Sequence, residues 1–360
     1  MRLRQLIVPL ILIVTLMGLL HWFVYSMTIQ TVVNPPLALK IFFIAGWLLI
    51  PASLILGMSP LKKNLLPLIM LGYVWLGTFM IALLSACIQL LISWLWRDMP
   101  SQWMLIVIPV IALWSLRINF MGPQVVKHTL RGPELMHSTR MVQISDLHVG
   151  QTILGKKWLQ SVVDKILHLN PDILVVTGDL ADGKFDTVAP MLEPLAQIRC
   201  QKFYVTGNHE YISGADWEPH LKKLGFEVLH NTHSLIRKTK GVFLIAGVPD
   251  QHVKRFAADK QSLPDQALKT SERVGYKILL AHEPSSVFDI KKETCDLILA
   301  GHTHGGQIFP FGVFVRLQQP VSAGFKIIKG IMVFAHQGTG FWGPPMRWFT
   351  RSEIVEFTWQ

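Results

Sequence analysis

Four long apolar runs fill the first third of the chain, at about 6–26, 38–57, 65–95 and 103–121. Each is near or above the ~20 residues that cross hydrocarbon, so the pattern predicts about four membrane spans over residues 1–124. Asn34-Pro35-Pro36, Ser59-Pro60-Leu61-Lys62-Lys63-Asn64 and Arg97-Asp98-Met99-Pro100 punctuate them, and Trp96 and Trp103 bracket the last break as interfacial aromatics do. From about residue 125 the pattern changes to short apolar strands alternating with amphipathic helices, the appearance of a layered α/β domain over 125–360.

In that second part nearly every strand runs into a polar cluster. Met141 to Ile144 leads to Ser145-Asp146-Leu147-His148, Ile173 to Val176 to Gly178-Asp179, and Phe203 to Val205 to Gly207-Asn208-His209-Glu210. Ile278 to Leu280 delivers His282, and Leu297 to Leu299 delivers the loop Gly301-His302-Thr303-His304-Gly305-Gly306-Gln307. A helix is expected over Lys157 to Leu169, with Trp158, Leu159, Val162, Val163, Ile166 and Leu167 on one face. Leu235 to Arg237 and Val242 to Ile245 flank Lys240-Gly241 as a hairpin. Polar residues at the carboxyl ends of strands are where α/β sheets place active sites.

Charge sharpens the membrane reading. Up to residue 121 there are seven bases and one acid, Asp98. Arg2 and Arg4 before the first span, Lys62 and Lys63 between the second and third, and Lys127 and Arg131 after the fourth all share one side. The positive-inside rule then puts both termini in the cytoplasm and the protein in an inner, multi-pass membrane location. A cleaved signal peptide over Met1 to Met27 is the rival, but the run is long, lacks a small-x-small site and is followed by further spans. Arg117 is either a buried functional charge or a side chain snorkelling near the cytoplasmic end. The polar part has no stripe of bases interleaved with aromatics, so nucleic acid is not the expected partner; membrane lipids are. Cys87, Cys200 and Cys295 lie far apart and suggest neither a disulfide framework nor a zinc knuckle.

Taken in order, Asp146, His148, Asp179, Asn208, His282, His302 and His304 offer two carboxylates, four imidazoles and one amide oxygen. Such a mixed set suits divalent manganese, iron or zinc better than magnesium or calcium. Seven donors exceed one ion's needs, whereas two ions sharing a carboxylate, roughly 3.5 to 4 Å apart, clamp both sides of a phosphoryl displacement. Competing motifs fail: no Gly-Lys-Ser/Thr completes a phosphate loop, and neither His209-Glu210 nor His282-Glu283 continues to a second histidine at protease spacing.

These blocks resemble the calcineurin-like metallophosphoesterase superfamily, whose Asp-x-His, Gly-Asp, Gly-Asn-His-Asp/Glu, His and Gly-His-x-His pattern is met over about residues 138–340. The resemblance implies a two-sheet β-sandwich flanked by helices. It also implies one metal held by Asp146, His148, Asp179 and His304 and another by Asp179, Asn208, His282 and His302. Asn208 and His209 would be catalytic, His209 as the non-ligand histidine that assists the leaving group. The Gly301 to Gln307 loop, the late Gly338-Thr339-Gly340 and Gly343-Pro344-Pro345-Met346-Arg347 segments and the apolar N-terminal runs look like the branch of transmembrane proteins with a metallophosphoesterase domain. That branch is similar to bacterial enzymes cleaving UDP-2,3-diacylglucosamine in lipid A synthesis. It implies a hydrolase acting on a phosphodiester or pyrophosphate bond, in a lipid-linked substrate or a soluble or cell-envelope phosphoester. A catalytically silent membrane sensor is the reading from another class. Phe349-Thr350-Arg351 departs from the branch, where a Gly-Ala-Pro-like turn is expected. Arg347 is either a partner for a second phosphate or a rim cation, and Phe341, Trp342, Met346, Trp348 and Phe349 form either an apolar lip for acyl chains or core.

Overall fold

The computed structural model describes residues 3–29, 34–58, 64–97, 99–150, 152–251, 253 and 261–360. Arg2, Lys62, Lys63 and Asp98, on which the orientation expectation partly rests, lie outside them, as do 59–63 of the second break. The chain divides into two compact units, one holding residues up to Met121 with Ile308–Pro310 and Gly343–Trp348, the other holding the remainder.

The first unit contains α1 (Leu3–Thr28), α2 (Leu37–Met58), α3 (Leu66–Leu95) and α4 (Met104–Phe120). Among the described residues three helices are long and apolar enough to cross a membrane; α4, at 17 residues, is shorter. Small residues let these helices approach: Gly46 and Gly18 leave room for the indoles of Trp75 and Trp47. One buried polar group among them is held by a ring and an indole. His21 stacks on Phe79 at 3.8 Å between ring centres and accepts from Trp75 Nε1 at 3.2 Å. The two later segments pack with the helices, Ile308 and Met346 clustering with Ile81 of α3 and Ala112 of α4.

In the second unit, β1 (Gln124–Leu130), β2 (Met141–Ile144), α5 (Lys156–Leu169), β3 (Ile173–Thr177), α6 (Phe185–Val188), β4 (Gln201–Val205), α7 (Asn208–Ile212), α8 (Glu218–Lys223) and β5 (Phe226–Val228) come first. Then follow β6 (Thr232–Lys238), β7 (Gly241–Gly247), α9 (Pro264–Ala267), β8 (Tyr276–Leu280), β9 (Leu297–Ala300), α10 (Phe311–Gln318), β10 (Gly324–Ile328), β11 (Ile331–Ala335) and β12 (Glu353–Trp359). They form two six-stranded mixed sheets, ordered β1-β12-β2-β3-β4-β5 and β10-β11-β9-β8-β7-β6.

Side-chain alternation explains why the sheets stack. Ile173 and Val175 of β3 join Ile278 and Leu280 of β8 in the layer between the sheets, while Leu174 and Val176 point outward to Leu159, Val162, Val163 and Ile166 of α5. Leu279 and Ile298 supply the core on the other outer face. Such strands must be apolar on both faces, which is why they read as unbroken apolar runs. The hairpin is β6 and β7, antiparallel with Leu235 opposite Leu244. On α5 the expected face is narrower, since Leu167 is exposed and Trp158 half-buried.

Candidate metal centre

Three strands of one sheet and two of the other deliver the polar residues from their carboxyl ends. Asp146 and His148 follow β2, Asp179 follows β3, Asn208 and His209 open α7 after β4, His282 follows β8, and His302 and His304 follow β9. The loops are stitched together by backbone: Asp146 N–H donates to Gly178 O at 3.1 Å, His148 N–H to Asp179 O at 3.0 Å, and Gly301 N–H to His282 O at 2.9 Å. Gly301 serves here by its lack of a side chain, because a Cβ would run into Ser145 and the Asp146 carboxylate. Its φ is not left-handed, so close approach is the reason for that glycine.

Five of these polar residues do hold left-handed φ without being glycine: Asp146 at 53°, His148 at 48°, Asp179 at 51°, His302 at 68° and His304 at 48°. Each such conformation costs about 1–2 kcal/mol for an L residue, and strain of this kind concentrates where function demands a direction the relaxed backbone does not give.

The side chains converge in three overlapping groups whose ligand atoms lie within 4.8 Å of one another: Asp146 with His148 and His304, Asp179 with His282 and His302, and His148 with Asp179 and His209. His148 Nε2 is 3.2 Å from His304 Nε2, and His304 Nε2 is 3.5 Å from Asp146 Oδ1. In the second group His282 Nε2 is 3.2 Å from Asp179 Oδ2 and 3.2 Å from His302 Nδ1. Asp179 Oδ2 also lies 3.9 Å from His148 Nε2, so this one oxygen stands between those two groups. His282 Nδ1 is 2.8 Å from Thr177 O, which accepts the Nδ1–H hydrogen bond and leaves Nε2 facing the cluster. Asn208 Oδ1 is buried and makes no hydrogen bond. An amide oxygen in that state is costly unless something accepts its lone pairs.

The electrostatics follow from burial and proximity. Burial pushes the Asp146 carboxyl up to about 6, with His282 opposing and Asp179 reinforcing the shift. Burial likewise brings His148 down to about 4. Burial works against the Asp179 charge too, yet His282, His209 and His148 hold that carboxyl well below the ordinary range. Burial also opposes charge on His282, but Asp179 raises the imidazole well above its usual value.

Two residues that sequence reasoning did not single out complete the site. Glu210 is buried and its carboxylate accepts four backbone N–H groups, from Leu180 at 2.8 Å, Ala181 at 3.1 Å, Asp179 at 3.1 Å and Gly207 at 2.8 Å. It ties the turn that carries Asp179 to the turn that carries Asn208. Asp182 Oδ1 lies 3.5 Å from His209 Nδ1, and its Oδ2 lies 3.8 Å from His148 Nδ1. Burial disfavours charge on His209, but Asp182 and Asp179 outweigh it and push the imidazole up to about 9. The signal for Asp182 is its place three residues after Asp179, in Gly178-Asp179-Leu180-Ala181-Asp182-Gly183.

The calcineurin-like phosphoesterase model matches residues 139–306. Over 245 residues the chain is 33% identical to an uncharacterized metallophosphoesterase of Aquifex aeolicus, covering 65% of this chain and 91% of that protein. It belongs to the calcineurin-like metallophosphoesterase family. A transmembrane protein with metallophosphoesterase domain from Danio rerio is 33% identical over 265 residues, 70% of this chain and 60% of the relative. A Bos taurus protein of the same description is 33% identical over 64% of this chain. This chain spans 60% and 55% of the lengths of those two relatives. Among solved structures, a dimetal phosphatase from Danio rerio aligns over 62% of this chain and 99% of its own at 11% identity, with a TM-score of 0.38.

The remaining sequence candidates divide. Arg347 is completely buried, so it is not a rim cation. Phe341 and Met346 are core, whereas Trp342 is 53% and Phe349 79% exposed. Trp342 lies edge-on to His209 with 6.1 Å between ring centres. Phe349, which stands where a Gly-Ala-Pro-like turn would begin, takes a left-handed φ of 59° although it is not glycine.

Proposed function

We propose that this protein is a membrane-anchored two-metal phosphoesterase that hydrolyses a phosphodiester or pyrophosphate bond of a lipid-linked substrate. The observation that carries the reading is Asp179 Oδ2 standing between two groups of ligand atoms, while the Asn208 amide oxygen is buried without a hydrogen bond. Asp146, His148, Asp179 and His304 would hold one ion, and Asp179, Asn208, His282 and His302 the other. Manganese, zinc or iron suits this oxygen and imidazole set. When bound, two such ions polarise a phosphoryl group and acidify water toward neutrality.

The chain's own residues do the rest. Glu210 fixes the two turns, so Asp179 and Asn208 are presented without further reorganisation. His209 is assigned to neither ion and is kept protonated by Asp182, which equips its imidazolium to protonate the departing oxygen. UDP-2,3-diacylglucosamine, a pyrophosphate of the bacterial lipid A route, is the first candidate. The charge pattern, with Arg4, Lys127 and Arg131 among its described members, supports a cytoplasmic domain on an inner membrane.

The test is hydrolysis by the purified full-length protein with manganese, zinc or iron, first of bis-p-nitrophenyl phosphate and then of UDP-2,3-diacylglucosamine, with Asp179→Asn as control. Turnover of both, abolished by the substitution, is expected. Tight metal binding without hydrolysis of either compound would instead make the domain a silent sensor.

A further inference from the structure

The metal loop continues, seven residues after His304, into α10, whose surface is unlike that of the other helices of the second unit. No residue of α10 is buried. Phe311, Val313, Phe314 and Leu317 are all exposed, Leu317 at 79%. Phe311, Phe314 and Leu317 recur three apart and share a face with Val313. Gly312 is on the opposite face, and there α10 rests on the loop backbone. A Cβ on Gly306, whose φ is 83°, would overlap Gly312, and one on Gly312 would come within 2.9 Å of Gly305 O. The helix is thus seated directly on the turn that follows His304, and its other side is a continuous apolar strip edged by the exposed Arg316.

What covers that strip is indicated by the residues just before it. Ile308 is 2% exposed and clusters with Ile81 and Ala112 of the apolar helices, and α10 starts immediately after Pro310. A strip of aromatic and aliphatic side chains with a basic edge, entered directly from a segment packed on membrane-spanning helices, has the composition of a helix that lies in the lipid interface. A patch of this kind facing water would be a liability in a monomeric protein.

We propose that α10 is an interfacial helix, lying in the headgroup region of the bilayer and holding the metal loop there. The inference deepens the phosphoesterase reading, on which its catalytic consequence rests, by fixing the substrate class as a phosphoester borne by lipid. Contact with lipid bears on Gly312 and through it on Gly305 and Gly306, so bilayer and metal loop are mechanically joined.

The experiment uses the full-length chain with Cys87, Cys200 and Cys295 replaced by alanine and Leu317→Cys carrying a bimane probe, reconstituted in nanodiscs of phosphatidylcholine and phosphatidylglycerol. A second variant, Gln360→Cys, places the probe at an exposed position away from the strip. Expected are a blue-shifted emission at 317, strong quenching by doxyl-labelled lipid and loss of iodide quenching, with the reverse at 360. Iodide quenching at 317 equal to that at 360 would overturn the proposal. So would shielding of 317 from both quenchers, which would mean that protein covers the strip. These readouts need no turnover, so they fail or succeed independently of the phosphoesterase reading.

Discussion

Asp182 Oδ1 sits 3.5 Å from the Nδ1 of His209, and this pair sets the protonation of the histidine proposed to ligate neither metal ion. A general acid must be protonated, so activity is lost as pH rises through the His209 pKa. Asp182→Asn removes the charge that raises that pKa, and the basic limb of the pH profile should therefore move to lower pH. Bound cations lower the starting value but leave the direction of the shift unchanged. With an alkyl leaving group the rate should fall roughly 10-fold or more, whereas p-nitrophenolate, which needs little protonation, should be affected far less. An unmoved basic limb would remove Asp182 from this role.

Metal loading should release protons. In the metal-free protein His282 has a pKa well above its ordinary value and so holds a proton that a cation must displace, and Asp146, with a pKa of about 6, holds another once the pH falls below that value. Affinity should fall as pH drops, steeply below about 6 where Asp146 is protonated as well. Calorimetry in buffers of different ionisation enthalpy reads the protons directly. A binding heat that does not vary with buffer would contradict the prediction.

The left-handed ligands predict a trade of stability for function. At His302, with φ 68°, glycine relieves backbone strain while alanine does not. Metal-free His302→Gly should therefore be about 1 kcal/mol more stable than His302→Ala, a melting difference of roughly 2–4 °C for a domain of this size. Both variants should lose phosphodiester hydrolysis. Equal melting temperatures would show that this backbone turn carries no strain.

Gly306→Ala introduces a methyl group where the Gly312 backbone lies, at a φ that alanine resists. The loop or α10 must move, which should destabilise the domain by about 1–2 kcal/mol and weaken metal binding by the His304 group. Denaturant unfolding beside metal titration checks this. A variant with native stability and affinity would mean that the seat of α10 is dispensable.

What the sequence discloses here depends on how local the cause is. The strands delivering Asp146, Asp179 and His282 are buried on both faces, so they appear as apolar runs ended by polar residues. The motifs sit at those ends because the chain must leave the sheet there. Asp182 was harder to see, since an aspartate in a turn is ordinary until the fold brings His209 to it from another strand. Placement of β12 between β1 and β2 was not legible either, because pairing partners more than two hundred residues apart leave no mark on either segment. The left-handed backbone at Phe349 escaped notice because no glycine announces it.

That position of β12 bears on how the protein is made. β1 follows directly on the last apolar helix, and its neighbour in the sheet is β12, in register from Gln124 opposite Glu353 to Leu130 opposite Trp359. During synthesis the helices can enter the membrane while β1 waits, its edge uncovered, until residues 353–359 have left the ribosome. β12 also supplies the neighbour of β2, the strand that leads into Asp146 and His148. Hydrolytic competence would then arrive after the anchor has been installed, so a nascent chain would reach its bilayer before it has a working site.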